Sequence, residues 1–158
     1  MRTVVVDASA IINGFPMLIL DTHYITAPSV IDEVKSRRGK KNLQTSIDFN
    51  IIDQRIPSFQ SVLDVRKIAA ETKDNLSEAD TELLALALEY KAEIASDDYG
   101  IQNIAAKLGL GIIPVGESGI KKVLHWQYYC PGCKKKYEMP GVCGICGTRL
   151  KRKAKSAR

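Results

Sequence analysis

The sequence predicts an α/β fold, a largely parallel sheet flanked by helices and followed by a small cysteine-bearing ribbon. Three observations carry this: alternation of strand-like and helix-like apolar periods up to about residue 115, two closely spaced cysteine pairs after it, and a reversal of charge between the two parts. With 158 residues, 45% of them apolar, the chain can bury one core and carry one small module.

The strands are read from short β-rich runs: VVVDAS (4–9), YITA (24–27), AEIAS (92–96) and GIIPV (111–115). Helical patterns lie between them. Ser29 stands three residues before Asp32, and Ser77 three before Asp80, so each pair is expected to open a helix with a capping-box-like start. Further helices are expected from about Ser58 through SFQSVLDVRKIAAET and over YGIQNIAAKL, with Gly109 at a left-handed C-terminal cap. Pro114 marks an edge strand or a strand end. Residues 37–56 show no clear period, and the basic run KSRRGKK (35–41) is read as a flexible loop. The expected organisation is a domain over 1–118, a linker over 119–126, a ribbon over 127–150 and a basic tail over 151–158.

No run approaches the roughly 20 consecutive apolar residues of a membrane helix, and MRTVVVDASA is unlike a signal peptide. No membrane association and a cytoplasmic location are therefore expected. Residues 1–120 hold 12 Lys and Arg against 17 Asp and Glu, whereas residues 121–158 hold 11 against Glu138 alone. A strongly basic module beside an acidic domain suits a polyanion gripped by one and acted on by the other.

Cys130-Pro-Gly-Cys133 and Cys143-Gly-Ile-Cys146 are separated by nine residues. Two CxxC turns can direct four thiolates at one zinc ion while backbone N–H groups donate to sulfur. A closed four-sulfur site has no open position for substrate, so zinc here is expected to be structural, and chemistry must lie elsewhere. Around the cysteines stand Trp126, Tyr128, Tyr129 and Tyr137 with Lys121, Lys122, Lys134, Lys135, Lys136, Arg149, Lys151 and Arg152, a mixture suited to RNA. Trp126 is expected to pack the ribbon against the first domain.

Acidic residues fall at strand ends and near helix starts: Asp7, Glu33, Asp80 and the pair Asp97-Asp98. In open parallel sheets these positions line one crevice. Clustered carboxylates need a hard cation such as Mg²⁺ or Mn²⁺, which also binds phosphate and activates water. Each acid taken alone also serves as a helix cap or turn residue.

VVVDASAII, PSVIDEV, LSEADTELLALA and IASDDYGIQNIA resemble the successive motifs of PIN-domain ribonucleases over about residues 3–116. The trailing HWQYYCPGC and CGICG are similar to the zinc ribbon of the Nin-one-binding family, endonucleases that mature the 3′ end of small-subunit ribosomal RNA. The resemblance implies a PIN-like parallel sheet with Asp7, Glu33, Asp80 and Asp98 holding Mg²⁺ or Mn²⁺, supported by Ser9 and Ser96, with Asn13 lining the crevice. It places the last ligand at Asp98, with Asp97 as second choice, and maps zinc onto Cys130, Cys133, Cys143 and Cys146. It implies precursor small-subunit ribosomal RNA and the pre-ribosomal particle as partners, and the compact length points to an archaeal version. Two other readings fit the same residues: a non-catalytic RNA-binding or ribosome-assembly module, and a PIN ribonuclease of toxin or decay type acting on transfer or messenger RNA.

Overall fold

The computed structural model describes residues 1–15, 21–116 and 125–155. Lys121, Lys122 and most of the expected linker lie outside the described residues. Five strands, β1 (Arg2–Val6), β2 (Thr22–Thr26), β3 (Ile52–Gln54), β4 (Glu93–Ala95) and β5 (Ile112–Ile113), form an all-parallel sheet in the order β3-β2-β1-β4-β5. Val4, Val5 and Val6 of the central strand are all buried. A continuous apolar run, rather than an alternating one, is what a parallel sheet covered on both faces requires.

The covering helices are α1 (Ala8–Ile12), α2 (Pro28–Glu33), α3 (Arg37–Asp48), α4 (Phe59–Thr72), α5 (Glu78–Tyr90) and α6 (Tyr99–Leu108). α5 is apolar nearly all round, with Leu83, Leu84, Ala85, Leu86 and Ala87 buried, because it packs against α2, α4, α6 and β1. Its leucines each stabilise the fold by about 1.5–3 kcal/mol. Successive strands run outward from β1 toward β3 on one side, and β4 and β5 continue on the other. The strand order therefore reverses between β1 and β4, the place where open parallel sheets put a crevice at the carboxyl ends of their strands.

Local signals fixed several elements as expected. Ser58 caps α4, Ser77 and Asp80 form a capping box on α5, and Gly109 ends α6 with φ +72°. Three expectations are corrected. Ser29 does not cap α2: Ala27 is the N-cap, Pro28 fills the first helical position, and the Ser29 hydroxyl donates to Glu82 on α5. The basic run 35–41 is not a flexible loop but leads into and begins α3, whose N-cap Ser36 accepts from Gly39 N at 3.0 Å. Residues 151–154, expected within a basic tail, form strand β8 of the ribbon.

Gly39 explains how α3 packs. A Cβ there would meet Val34 Cγ1 at 2.7 Å and Ile12 Cγ1 at 2.9 Å, so α3 lies against α1 only because the side chain is absent. Gly39→Ala is expected to cost about 1–3 kcal/mol through overpacking, read as a lower midpoint in urea unfolding; an unchanged midpoint would show that the contact relaxes freely.

Candidate active site and cysteine centre

Asp7 follows β1 directly and caps α1. Its backbone N–H donates to Ala95 O at 3.2 Å, tying the ends of β1 and β4. Its Oδ1 accepts from Ala8 N at 2.6 Å, and its Oδ2 accepts from the hydroxyls of Ser9 at 2.7 Å and Ser96 at 2.8 Å. Only 7% of the residue is exposed. Burial pushes the Asp7 carboxyl above the usual carboxylate range; the Ser9, Ser96 and Ala8 donors pull it back, and the charge of Asp80 pushes it further up. No Lys, Arg or His ion-pairs with Asp7 among the described residues.

Ser96, buried at the end of β4, joins two acids: while donating to Asp7 it accepts from Asp98 N at 3.1 Å. Asp98 caps α6, its Oδ1 accepting from Gly100 N at 2.7 Å and Ile101 N at 3.0 Å. Asp97 points its oxygens elsewhere, accepting from Val115 N at 2.8 Å and Gly116 N at 2.9 Å, and so fastens the segment after β5. Asp80, half-buried in the first turn of α5, uses Oδ2 to accept from Ser77 N at 3.0 Å, so one carboxylate serves as cap and as neighbour of Asp7.

Asp7, Asp80 and Asp98 are thus brought to one end of the β1–β4 seam. Glu33 is the exposed last residue of α2, and no hydrogen bond joins it to the other three among the described residues. Asn13 is the exposed C-cap of α1. The acids do not close into a tight cage, since among the described residues the cysteines alone bring three or more ligand atoms within 4.8 Å of one another. An open set of carboxylates fits Mg²⁺, which is usually held by one or two of them and keeps several waters.

The ribbon consists of β6 (Trp126–Tyr129), β7 (Lys136–Tyr137) and β8 (Lys151–Ala154) in the antiparallel order β7-β6-β8. Its two cysteine turns repeat one backbone pattern. Cys130 N donates to Lys135 O and Lys134 N to Cys130 O, as Cys143 N does to Thr148 O and Gly147 N to Cys143 O, all at 2.9 Å. Lys134 (φ 64°) and Gly147 (φ 69°) occupy the matching left-handed positions.

The four cysteines are free, with Sγ–Sγ separations of 3.3 Å for Cys130–Cys146 and 3.5 Å for Cys133–Cys143. Sulfurs at about 2.3 Å from a tetrahedral zinc would stand slightly farther apart, so the cluster fits such an ion. Cys133 N donates to Cys130 Sγ and Ile145 N to Cys143 Sγ, each at 3.4 Å. The Tyr137 hydroxyl, 3.0 Å from Cys143 Sγ, is the main cause that pulls the Cys143 thiol down to about 5.

Docking of the ribbon rests on Trp126, whose Nε1 donates to Asp74 Oδ1 at 2.7 Å. Asp74 Oδ2 accepts from Thr72 Oγ1 at 2.6 Å and Asn103 Nδ2 at 2.7 Å, and Lys73 pairs with Glu138. The packing role expected of Trp126 is seen; its acceptor, in a turn after α4, had no sequence signal. Arg152 lies 4.2 Å from the Trp126 ring centroid, Lys153 4.9 Å from Tyr129 and Lys135 5.8 Å from Tyr137. Tyr128 has no such cation among the described residues. Lys136, Arg149 and Lys151 are exposed, and Lys134 Nζ donates to Pro131 O at 2.9 Å.

Residues 4–90 match the family model described as the PIN domain of ribonuclease. Over 93% of this chain and 91% of the relative, the sequence is 43% identical to Endoribonuclease Nob1 of Pyrococcus abyssi. The chain belongs to the Nob1 family of PIN-domain endoribonucleases. A Nob1 endoribonuclease from Methanocaldococcus jannaschii is 37% identical over all of this chain and 81% of the relative. Ribonuclease VapC1 of Thermoplasma acidophilum is 40% identical over 94% of this chain and 76% of the relative. As a Nob1-family endoribonuclease, the protein acts on RNA, and its ribbon is carried within the span shared with the Nob1 relatives.

Proposed function

We propose that this Nob1-family endoribonuclease cuts precursor small-subunit ribosomal RNA, in the pre-ribosomal particle, to form its mature 3′ end. The observation that carries the reading is Asp7, a buried carboxylate with neutral donors only, linked through Ser96 to Asp98 and coupled to Asp80. These residues would hold a Mg²⁺ or Mn²⁺ ion, with Glu33 at the rim and Asp98 in preference to Asp97, whose oxygens are taken by the 115–116 backbone. When bound, such an ion supplies a lowered water pKa and stabilisation of charge on the phosphodiester oxygens.

The chain's own residues prepare that place. Ser9 and Ser96 fix the Asp7 carboxylate, the β1–β4 seam fixes the spacing of Asp7 and Asp98, and the capping box fixes Asp80. A zinc ion held by Cys130, Cys133, Cys143 and Cys146 folds the ribbon, which grips RNA with Lys134, Lys135, Lys136, Arg149, Lys151 and Arg152.

Incubation of a 3′-extended small-subunit RNA fragment with the protein in Mn²⁺ is expected to give one product ending at the mature 3′ end, and Asp98→Asn to slow it about a hundredfold or more. Scattered ends, or an Asp98→Asn protein as fast as the parent, would count against the reading. The likeness to a ribonuclease VapC favours a second one, a PIN ribonuclease acting on transfer or messenger RNA. Offering transfer RNA in competition separates the two.

A further inference from the structure

Two adjoining hollows run along the turn between α4 and α5. One, of about 740 Å³, lies between the nuclease domain and the ribbon and is bordered by Lys73, Asn75, Tyr128, Met139 and Arg152. The other, of about 470 Å³, is bordered by Arg66, Asn75, Ser77 and Glu78. Both share Ala69, Ala70, Asp74 and Asn75, so they form one groove. It ends on Ser77 and Glu78, the cap and first residue of the helix whose first turn carries Asp80. Asp74 to Ser77 is three residues, a span of at most about 11 Å.

We propose that this groove is the channel for a single-stranded RNA segment, leading from Tyr128 and Arg152 on the ribbon to the acidic edge. This rests on the reading of Asp7, Asp80 and Asp98 as the cutting site and adds the path by which the substrate reaches it.

The chemistry of the walls favours a nucleic acid strand. Glu138 is paired with Lys73, and both oxygens of Asp74 accept hydrogen bonds from Trp126, Thr72 and Asn103, so these carboxylates are committed to protein donors. Arg66 and Arg152 have no carboxylate partner among the described residues, and Arg152, stacked over Trp126, keeps its N–H edge for phosphates. Of the four aromatic rings on β6 and β7, Tyr128 is the one with no cation over it among the described residues, and it borders the groove. An open, half-buried ring beside exposed Met139 is a stacking platform for an unpaired base. Duplex RNA does not offer its bases in this way.

The test uses full-chain Asp7→Asn protein with zinc in the cysteine centre, in which cutting is expected to be too slow to interfere, and a fluorescent 12-nucleotide single-stranded RNA of mixed sequence. Tyr128→Ala in that background is expected to weaken binding about tenfold, the scale of one lost base stack, while Tyr128→Phe binds as the parent does. Arg66→Ala should weaken binding and reduce its salt dependence, and Glu78→Gln should tighten it. Parent-like affinity of both Tyr128→Ala and Arg66→Ala, or equal competition by a duplex of the same length, overturns the channel. Because the probe is not ribosomal, loss of binding in these variants alongside a failure of the parent protein to form the ribosomal 3′ end would sink the substrate assignment and leave the channel standing.

Discussion

Loss of metal from the cysteine centre, by chelation or by Cys143→Ser, is expected to unfold the ribbon while the nuclease sheet remains folded. From residue 125 onward, Cys130 and Cys143 are the buried members of the apolar class among the described residues, so the ribbon has no apolar core of its own. Structural zinc contributes about 10–16 kcal/mol of apparent binding free energy in modules of this size, and little else opposes unfolding there. Among the described residues the helices all lie before residue 109, so far-ultraviolet circular dichroism should keep its helical signal. Trp126 is the single tryptophan, and its bond to Asp74 and its stacking under Arg152 depend on a formed β6–β8 pair. Its emission should therefore shift to that of a hydrated indole, in step with metal release and with the loss of RNA affinity. Unchanged Trp126 emission in fully metal-free protein would show that the ribbon holds itself together.

How far this arrangement was legible in the sequence depended on whether a signal was local. Ser58, the Ser77–Asp80 box and Gly109 act within one turn of their own position, and all three mark helix ends in the structure. α3 was missed because the stripe it buries is Gly39, Leu43 and Ser46, of which one residue is apolar, while Arg37, Arg38, Lys40 and Lys41 dominate its start. Gly39 is there for closeness rather than flexibility, which no periodicity can reveal. β8 was missed for a related reason: all four residues of KRKA are exposed, and the strand is held by its ladder to β6 and by Arg152 and Lys153 lying over Trp126 and Tyr129.

The candidate site divides in the same way. Asp7 and Asp98 follow adjacent parallel strands, so their meeting follows once β1 and β4 pair, and Ser96 lies between them for the same reason. Asp80 had two readings, cap or site; the structure shows the cap, and the charge of the same carboxylate also acts on Asp7. Glu33 depends on the length and direction of a six-residue helix, which its flanking residues do not determine. Asp74 was invisible because an acid in a turn looks the same whether it meets water or the indole of a second module 52 residues away.

Asp7→Asn is expected to lower RNA cleavage by about a thousandfold or more, as several kcal/mol of metal-derived stabilisation are lost, and at the same time to make the metal-free protein harder to melt. Asparagine keeps the shape and one acceptor oxygen, and the hydroxyls of Ser9 and Ser96 can turn to accept from its amide. What it removes is a buried negative charge. Burial raises the Asp7 carboxyl above its unfolded value, so the folded protein holds that proton more tightly than the unfolded chain. The charge therefore costs stability at neutral pH, and the cost fades as pH falls through the folded value and is gone below the unfolded one. The difference in melting temperature between variant and parent should accordingly be largest near pH 7 and close on acidification. Mn²⁺ should reverse the order, because a ligand that binds only the folded parent adds about 2.7 kcal/mol at a hundred times its Kd and adds much less to a variant lacking Asp7. An Asp7→Asn protein that cuts at the parent's rate, or that gains as much from Mn²⁺ as the parent does, would show that the buried carboxylate is a cap of α1 and nothing more. A variant that is inactive but less stable at every pH would mean that the carboxylate holds the β1–β4 seam together, and that its charge was never the strained element of the site.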